Sequence, residues 1–361
     1  MRLPFLLPAL VQVLSAQTTP GLQAVAALMD REAAAGRFSG TVLVAKGDQI
    51  LLRHSAGFAV RSLKVPIRGN TRFQMASLGK LFTTVAIGQL VEQGRVSLDD
   101  SITRFLPEHP EWTKVKVRHL LAHTSGFGSY WGPKFEGKRT SIKAVKDYFP
   151  FFEKTPLTFE PGSRFDYSNV GFILLGAILE KATGQDFFDY VQGHVFNPAG
   201  MVDSGYFEAD EDLPRLALGY MRPPDWPQGK PLRTHSQIKP FKGGPAGDAI
   251  STAPDLRRFM AALHSGNLLS PATIQRLWTP VNELPKSPGS SASSRSLYGL
   301  GFSIIQDAKG TLIGHTGGFP GTGTRCFLDP RTGFIAILLC NVDAQDSMAV
   351  DQAFRTTLAQ R

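Results

Sequence analysis

Strand-forming segments stand at both ends of this chain, and the long stretch between them has the pattern of helices. Near the N-terminus, a predicted helix over 21–35 precedes a strand pair at 40–45 and 49–60. Near the C-terminus, three strands are predicted between 298 and 342, and a helix over 347–358 follows them. This order predicts an α/β (α+β) sandwich, in which an antiparallel sheet flanked by N- and C-terminal helices carries an inserted helical subdomain.

The chain is long enough for one large domain behind a leader. It has 361 residues, of which 42% are hydrophobic, and this is ample for a buried core. We predict a signal peptide over 1–16 and a single domain over 17–361. Within that domain, the sheet subdomain is expected to comprise 17–76 and 245–361, and the helical insert 77–244.

The first sixteen residues resemble a secretory signal peptide in composition. Arg2 precedes an apolar stretch over 3–14, and cleavage is expected near Ala16. The apolar stretch is too short to span a bilayer, and no other stretch looks transmembrane. We therefore expect a secreted or periplasmic protein. Leu14 stands where a small residue usually precedes cleavage, which leaves an N-terminal core helix as the alternative.

An S-x-x-K sequence at 77–80 opens an apolar stretch that continues to residue 93, with Gly94 as the predicted stop of a helix. Residues i and i+3 share one face of a helix, so the Lys80 amine can reach the Ser77 hydroxyl. Burial of the lysine favours its neutral form and makes it a better base for a serine nucleophile. The pattern indicates acyl transfer at Ser77 without a Ser-His-Asp triad.

S-x-x-K alone is weak evidence, since a second copy occurs at 236–239. In that copy Lys239 precedes Pro240, and the residue before a proline disfavours a helix. The two side chains are therefore not expected to share a face. For the first copy, the alternative is a helix N-cap at Ser77 with Lys80 as a solvated side chain.

A Tyr-Ser-Asn sequence at 167–169 follows a Pro-Gly turn and precedes a predicted helix over 170–179. Side chains in a loop that enters a helix can point into a cleft. A phenol beside an ammonium can lose its proton near neutral pH, so Tyr167 is a candidate proton relay. The alternative is a tyrosine packed at the helix start, with Asn169 as the cap.

A His-Thr-Gly sequence at 315–317 interrupts a strand pattern between 300–305 and 324–328. Glycine allows another backbone to approach closely, which suits a strand that a substrate lies against. The alternative is a hairpin turn that exposes His315.

In this order the three motifs resemble the serine β-lactamase and penicillin-binding-protein superfamily. They resemble in particular its class C β-lactamase-related branch, which includes S12 peptidases and serine esterases. Further segments resemble that branch as well: 119–127, 161–184, 247–260, 298–302 and 314–341. Several independent segments thus agree over nearly the whole chain, which makes the resemblance specific for this β-lactamase/transpeptidase-like fold.

The resemblance implies an acyl-enzyme mechanism. Ser77 would attack the carbonyl, Lys80 and Tyr167 would share the base role, and the first proton acceptor stays open between them. Tyr167 would then protonate the leaving group and help to activate water. The backbone N–H groups of Ser77 and Gly318 would form the oxyanion hole. The residues implied to bind substrate are Asn169, His315, Thr316 and Gly318.

One position departs from most relatives that hydrolyse β-lactams, which carry lysine where this chain has His315. Lysine gives a permanent cation, whereas histidine is mostly neutral above its ordinary pKa of about 6.5. β-Lactams and D-Ala-D-Ala peptides carry a carboxylate and would be held less firmly. The departure favours small esters or amides as substrates, with DD-peptidase or β-lactamase activity as the alternative. The complete set of Ser77, Lys80 and Tyr167 disfavours a binding protein without activity.

Other functional classes lack their signatures. No serine lies in G-x-S-x-G, no H-E-x-x-H occurs, and the two cysteines form no C-x-x-C. We expect no metal and no cofactor. The net charge of +9 is spread along the chain without a basic run, so nucleic acid is not an expected partner. His123 is interpreted as a loop histidine satisfied by neighbouring backbone, and the oligomeric state stays open.

Cys326 and Cys340 flank a predicted hairpin turn at 329–333. Pairing about this turn would place Cys326 opposite a residue near 336, which separates the sulfurs by roughly 13 Å. A disulfide needs Cα atoms within about 7 Å. We therefore predict two free, buried thiols.

Overall fold

A large antiparallel sheet is the main element of the protein. The computed structural model describes residues 19–223, 230–235, 239–285, 294–343 and 345–358. Within these ranges the strands are β1 (Gly40–Lys46), β2 (Gln49–Ala56), β3 (Phe58–Val60), β4 (Val65–Pro66), β5 (Phe73–Gln74), β6 (Tyr220–Met221), β7 (Arg233–Thr234), β8 (Ile250–Ser251), β9 (Asn282–Leu284), β10 (Arg295–Tyr298), β11 (Ser303–Asp307), β12 (Gly310–Phe319), β13 (Thr322–Asp329) and β14 (Phe334–Cys340). Eight of these described strands form the sheet, in the order β2-β1-β14-β13-β12-β11-β10-β9.

Helices cover both faces of the sheet. Those in the described ranges are α1 (Pro20–Ala34), α2 (Lys80–Glu92), α3 (Val117–Leu121), α4 (Pro133–Glu136), α5 (Asn169–Thr183), α6 (Phe187–Val191), α7 (Ala253–His264), α8 (Pro271–Trp278) and α9 (Met348–Leu358). Helices α1 and α9 cover one face, in a core that contains Val42, while α2 and α7 cover the other, in a core that contains Leu43. Because successive strand residues point to opposite faces, Val42 and Leu43 lie in different cores, and both faces of the sheet are buried. The predicted α/β sandwich is confirmed.

Helix α2 is buried almost all round, as its apolar sequence predicts. Every residue over 80–88 is buried, and the Phe82 ring meets Phe196 and Phe259 edge to face. The helix ends just before Gly94, whose φ of +67° is a conformation that glycine adopts without strain. Packing on all sides fixes the N-terminal turn of α2 against the sheet.

His315 lies inside β12, in agreement with the interpretation of His-Thr-Gly as part of a strand. Between 298 and 342 the structure has four strands, β11 to β14, where three were predicted. Three glycines over 314–318 weaken the strand pattern in the sequence and conceal β12. Strand β11 pairs with β12 only as far as Gly314, and no described strand continues that pairing along 315–319. His315 is 3% exposed, which excludes the exposed-turn alternative.

Cys326 and Cys340 are free and buried, as predicted. Cys326 lies opposite Ile337 in the β13–β14 hairpin, one residue from the predicted register. Burial raises the pKa of both thiols, and the thiolate is the reactive form.

We expect the native protein to react slowly with Ellman's reagent, and the denatured, unreduced protein to show two thiols per chain. The denatured Cys326→Ala variant should show one, and a disulfide in the wild type would leave none.

Some predictions fall on residues outside the described ranges. These are the signal peptide over 1–16 and Ser236 of the second S-x-x-K. Among the described residues, no helix combines the length and the apolar character needed to cross a membrane. In the same residues, no group of three or more His, Cys, Asp or Glu side chains is arranged to hold a metal ion.

Candidate active site

Ser77 lies on a turn of 3₁₀ helix, Ala76–Gly79, that runs directly into α2. In a 3₁₀ helix, residues i and i+3 lie directly above one another. This geometry brings Lys80 Nζ to 3.2 Å from Ser77 Oγ. The structure therefore brings together the two side chains that the sequence spacing pairs.

Lys80 is completely buried, and three oxygen atoms surround its amine. Besides Ser77 Oγ, these are Asn169 Oδ1 at 2.6 Å and the Ala246 carbonyl at 2.5 Å. Burial lowers the pKa of Lys80 to about 7, and the Asp248 carboxylate offsets part of this shift. At neutral pH a large fraction of the amine is therefore uncharged.

The two shorter contacts fix the orientation of the neutral amine. A neutral amine has two N–H groups and one lone pair, and the Asn169 and Ala246 oxygens accept the two N–H groups. The lone pair then faces the Ser77 hydroxyl and can accept its proton. Once protonated, the amine has only donors and donates to Ser77 Oγ instead, so it can no longer act as a base.

Tyr167 precedes α5, and the centroid of its ring is 5.0 Å from Lys80 Nζ. Although the residue as a whole is 42% exposed, burial of the phenol group by the surrounding protein raises its pKa. A hydrogen bond with the Ser77 side chain offsets only part of that rise. The phenol is protonated at neutral pH, which corrects the expectation that it ionises there. The expected neighbouring cation is weak, because Lys80 itself is partly neutral.

Strand β12 lies very close to the 3₁₀ turn. On the neighbouring β13, Thr324 Oγ1 donates at 2.9 Å to the carbonyl oxygen of Met75, the residue before the turn. On β12, a Cβ on Gly317 would lie 2.2 Å from the same oxygen. Only glycine permits this approach. At Gly318, in contrast, a Cβ would meet no atom within 4 Å, so this residue borders open space beside Ser77.

Both ring nitrogens of His315 are hydrogen bonded. Nε2 is 3.0 Å from the Tyr298 hydroxyl, and Nδ1 is 2.5 Å from the Thr316 carbonyl. Burial lowers the pKa of His315 to about 3, and the positive charge of Lys80 acts in the same direction. The imidazole is therefore neutral throughout the physiological pH range.

Two cavities meet at Ser77. One has a volume of about 530 Å³ and the other of about 360 Å³. The larger cavity includes Asn169, Tyr130 and Trp131 in its wall, and the smaller includes Tyr167, His315 and Thr316. An ester or amide bound at Ser77 can therefore place its two halves on opposite sides of the hydroxyl.

The backbone before Ser77 is strained. Ala76 has a φ of +46°, a conformation that costs a residue with a side chain about 1 kcal/mol or more. A neighbouring loop holds it there, since the Asp248 N–H donates to the Ala76 carbonyl at 3.0 Å. A Cβ on Gly247 would lie 2.5 Å from that carbonyl oxygen and 3.2 Å from Ser77 N. The loop therefore sets where the Ser77 N–H lies.

We expect Gly247→Ala to lower kcat by about 100-fold, because a displacement of about 1 Å at reacting groups has an effect of this size. The added methyl must push the backbone of Ala76 and Ser77 away, and Gly247 also has a φ of +153°. The free energy of unfolding should fall by about 1–3 kcal/mol. Steady-state kinetics and urea denaturation measure the two effects.

The matched control is Gly193→Ala, because a Cβ at that position would meet no atom within 4 Å. Its kcat should equal that of the wild type, and its stability should change by less than about 0.5 kcal/mol. Equal kinetics for the two alanine variants would show that the loop at 247 does not position Ser77.

The sequence did not reveal two contributors to the site, the Ala246 carbonyl and the Tyr298 hydroxyl. A backbone carbonyl carries no residue signature, and Tyr298 lies far from the motifs along the chain. The interpretation of His123 was correct for one nitrogen only, since Nδ1 accepts from the Ser168 N–H while Nε2 bonds Tyr298. The resemblance over 298–302 was the available signal, but it assigned no role.

A family model described as Beta-lactamase matches residues 23–360. Penicillin-binding protein 4* of Bacillus subtilis (strain 168) is 32% identical over 339 residues, which are 88% of this chain and 71% of that protein. Esterase EstB of Burkholderia gladioli is 34% identical over 247 residues, which are 63% of this chain and 61% of that protein. The similarity in sequence thus extends through all three motifs.

The fold is also similar to that of a solved structure. The crystal structure of D-amino acid amidase from Ochrobactrum anthropi SV3, complexed with L-phenylalanine amide, has a TM-score of 0.79 and 26% identity. The similarity covers 95% of this chain and 100% of that chain. It therefore includes both the sheet and the helical region that meet at Ser77.

Proposed function

Because the chain belongs to the β-lactamase family of serine hydrolases, we propose that it is a secreted enzyme that hydrolyses small esters or amides through an acyl-Ser77 intermediate. The proposal of small esters or amides as substrates rests on the neutral state of His315. A buried imidazole with both nitrogens hydrogen bonded gives no cation to a substrate carboxylate. The names of two relatives, an esterase and an amidase, agree with this substrate class.

Acylation begins with the neutral Lys80 amine as the base. The Ser77 oxygen attacks the substrate carbonyl while its proton passes to Lys80 Nζ over the 3.2 Å contact. In the proposed oxyanion hole, the N–H groups of Ser77 and Gly318 stabilise the negative oxygen of the tetrahedral intermediate.

Tyr167 is the proposed acid for the leaving group. Its phenol is protonated at neutral pH and hydrogen bonded to the Ser77 side chain, so it can donate a proton to the departing alcohol or amine. Lys80 then returns its proton to the phenolate. Water attacks the acyl-Ser77 ester, its proton is carried by Lys80 and Tyr167 back to Ser77 Oγ, and the carboxylic acid leaves.

The two cavities divide the substrate between them in this proposal. The Asn169 amide borders the larger cavity and would orient the acyl group, while its Oδ1 keeps Lys80 in place. Thr316 and His315 border the smaller cavity and would contact the leaving group. The aromatic wall of Tyr130 and Trp131 favours an apolar acyl chain.

One observation favours the alternative of DD-peptidase or β-lactamase activity. Arg325 and Arg355 border the smaller cavity, and both pair with the single carboxylate of Asp351. Two guanidinium groups against one carboxylate leave a positive charge in this local cluster. A carboxylate on the substrate could bind there despite the neutral His315.

Initial rates on p-nitrophenyl butyrate and on nitrocefin, a chromogenic β-lactam, distinguish the two functions. We expect kcat/KM for the ester to exceed that for nitrocefin by at least about 10-fold, since one missing charged contact has an effect of this size. In the Arg355→Gln variant the ester kinetics should stay unchanged. Faster nitrocefin cleavage, with a KM that rises in Arg355→Gln, would favour the alternative.

A further inference from the structure

Behind Tyr167, a buried chain of hydrogen bonds links the Tyr-Ser-Asn sequence at 167–169 to the His-Thr-Gly sequence at 315–317. The Ser168 N–H donates to His123 Nδ1 at 3.1 Å, and His123 Nε2 is 3.1 Å from the Tyr298 hydroxyl. That hydroxyl is 3.0 Å from His315 Nε2, and His315 Nδ1 contacts the Thr316 carbonyl at 2.5 Å. His123, Tyr298 and His315 are each no more than 3% exposed, so water does not compete for these bonds.

The two ends of this hydrogen-bond chain, the Ser168 N–H and the Thr316 carbonyl, determine where each hydrogen lies. A backbone N–H can only donate, so His123 Nδ1 carries a lone pair, and the neutral ring has its hydrogen on Nε2. A carbonyl can only accept, so His315 Nδ1 carries a hydrogen, and the neutral ring has its lone pair on Nε2. The Tyr298 hydroxyl accepts from the first ring and donates to the second. Every donor thus meets an acceptor.

This arrangement requires both imidazoles to be neutral. A proton added to His315 Nε2 would face the Tyr298 oxygen, which already accepts from His123, and the tyrosine hydrogen would lose its acceptor. A buried polar group without a partner is unfavourable. In agreement, burial lowers the pKa of both histidines, and the charge of Lys80 contributes to each shift.

The hydrogen-bond chain also reaches Tyr167, the proposed proton donor. The centroid of the His123 ring is 4.1 Å from that of Tyr167, and Ser168, which His123 holds, is the next residue. Ser168 Oγ donates to the Gly128 carbonyl at 3.0 Å, which fixes the loop a second time. The phenol is thus supported from the side of the sheet by His123 and, through it, by Tyr298.

We propose that His123 and Tyr298 are positioning residues for the proposed reaction. They connect the Tyr167 loop to β12 by a chain that gives His123 the Nε2–H tautomer and His315 the Nδ1–H tautomer. The inference rests on the proposed function, because it takes Tyr167 as the proton donor to the leaving group. The tautomers, however, can be measured without any substrate.

The first test is a long-range ¹H–¹⁵N correlation spectrum of protein labelled at histidine, recorded at pH 7. We expect a neutral Nδ1–H ring that is missing from the spectrum of His315→Asn, and a neutral Nε2–H ring that is missing from that of His123→Asn. Identical tautomers, or a charged ring at either position, would overturn the proposal. This result does not depend on whether the enzyme cleaves esters or amides.

The second test is Tyr298→Phe, which removes the hydroxyl and keeps the buried ring. We expect kcat for p-nitrophenyl butyrate to fall by about 10- to 100-fold with KM within about 3-fold, since positioning acts on the transition state. The control, Tyr190→Phe, changes a buried tyrosine that borders neither cavity and should keep the kcat of the wild type. An unchanged kcat in Tyr298→Phe, or a change in KM alone, would contradict the role. If this variant does not fold, the tautomers of the wild type decide.

Discussion

Replacing Ser77 by alanine is expected to lower kcat/KM for the best ester at least about 10⁴-fold, because the nucleophile of an acyl enzyme has no substitute in the site. The fold should survive, since the hydroxyl does not contribute to the buried core around α2. Mass spectrometry of the wild type, quenched during turnover of a slow ester, should show an acyl group on the peptide that contains Ser77. The variant should show none.

The control for this variant is Ser236→Ala, which removes the serine of the other S-x-x-K sequence. It should retain the kcat/KM of the wild type within about 2-fold. If instead Ser77→Ala stays within tenfold of the wild type, Ser77 is not the nucleophile and the proposed mechanism fails.

The second large effect is expected for Lys80→Met, which keeps the length of the side chain and removes the amine. Loss of a general base lowers the rate by about 10²–10⁴-fold, so we expect kcat to fall about 1,000-fold. Lys239→Met is the matched control, because Lys239 is the lysine of the second S-x-x-K and its pKa is also lowered by burial. It should keep kcat within about 5-fold of the wild type. Equal losses in both variants would contradict a specific role for Lys80.

The pH profile gives an independent test of Lys80. In the proposed mechanism only the neutral amine accepts the Ser77 proton, and burial lowers the pKa of this amine to about 7. In the wild type, kcat/KM should therefore fall tenfold per pH unit well below pH 7 and level off above it. The residual activity of Lys80→Met should lack this inflection. An inflection that persists in the variant would belong to another group.

The sequence predicted the features of the protein that depend on residues close together along the chain. The apolar run after Ser77 could only be a buried helix, and the i, i+3 spacing placed Lys80 beside the hydroxyl. The hairpin at 329–333 gave the separation of the cysteines to within one residue of register. Each of these arguments concerns residues that are close along the chain, where helix and strand geometry leaves few choices.

The remainder of the site depends on contacts between distant segments. The strand pattern of β12 is interrupted in the sequence because its glycines serve the approach to the 3₁₀ turn, and such a requirement lowers the strand signal itself. The tyrosine was expected to ionise because the burial that raises the pKa of Tyr167 is visible only once the core is assembled. Tyr298 could not be assigned because its partners lie on other strands and loops.

The register of the sheet has a consequence for the biosynthesis of the enzyme. Gly40 of β1 pairs with Cys340 of β14, so the central strands join the two ends of the sequence. Domains with many contacts between residues that are far apart in the sequence fold slowly. As the chain leaves the ribosome, Ser77 emerges long before His315 and β14. A nascent chain therefore holds Ser77 before the strands that complete the cleft, and we expect activity to appear only after the last strands have been synthesised.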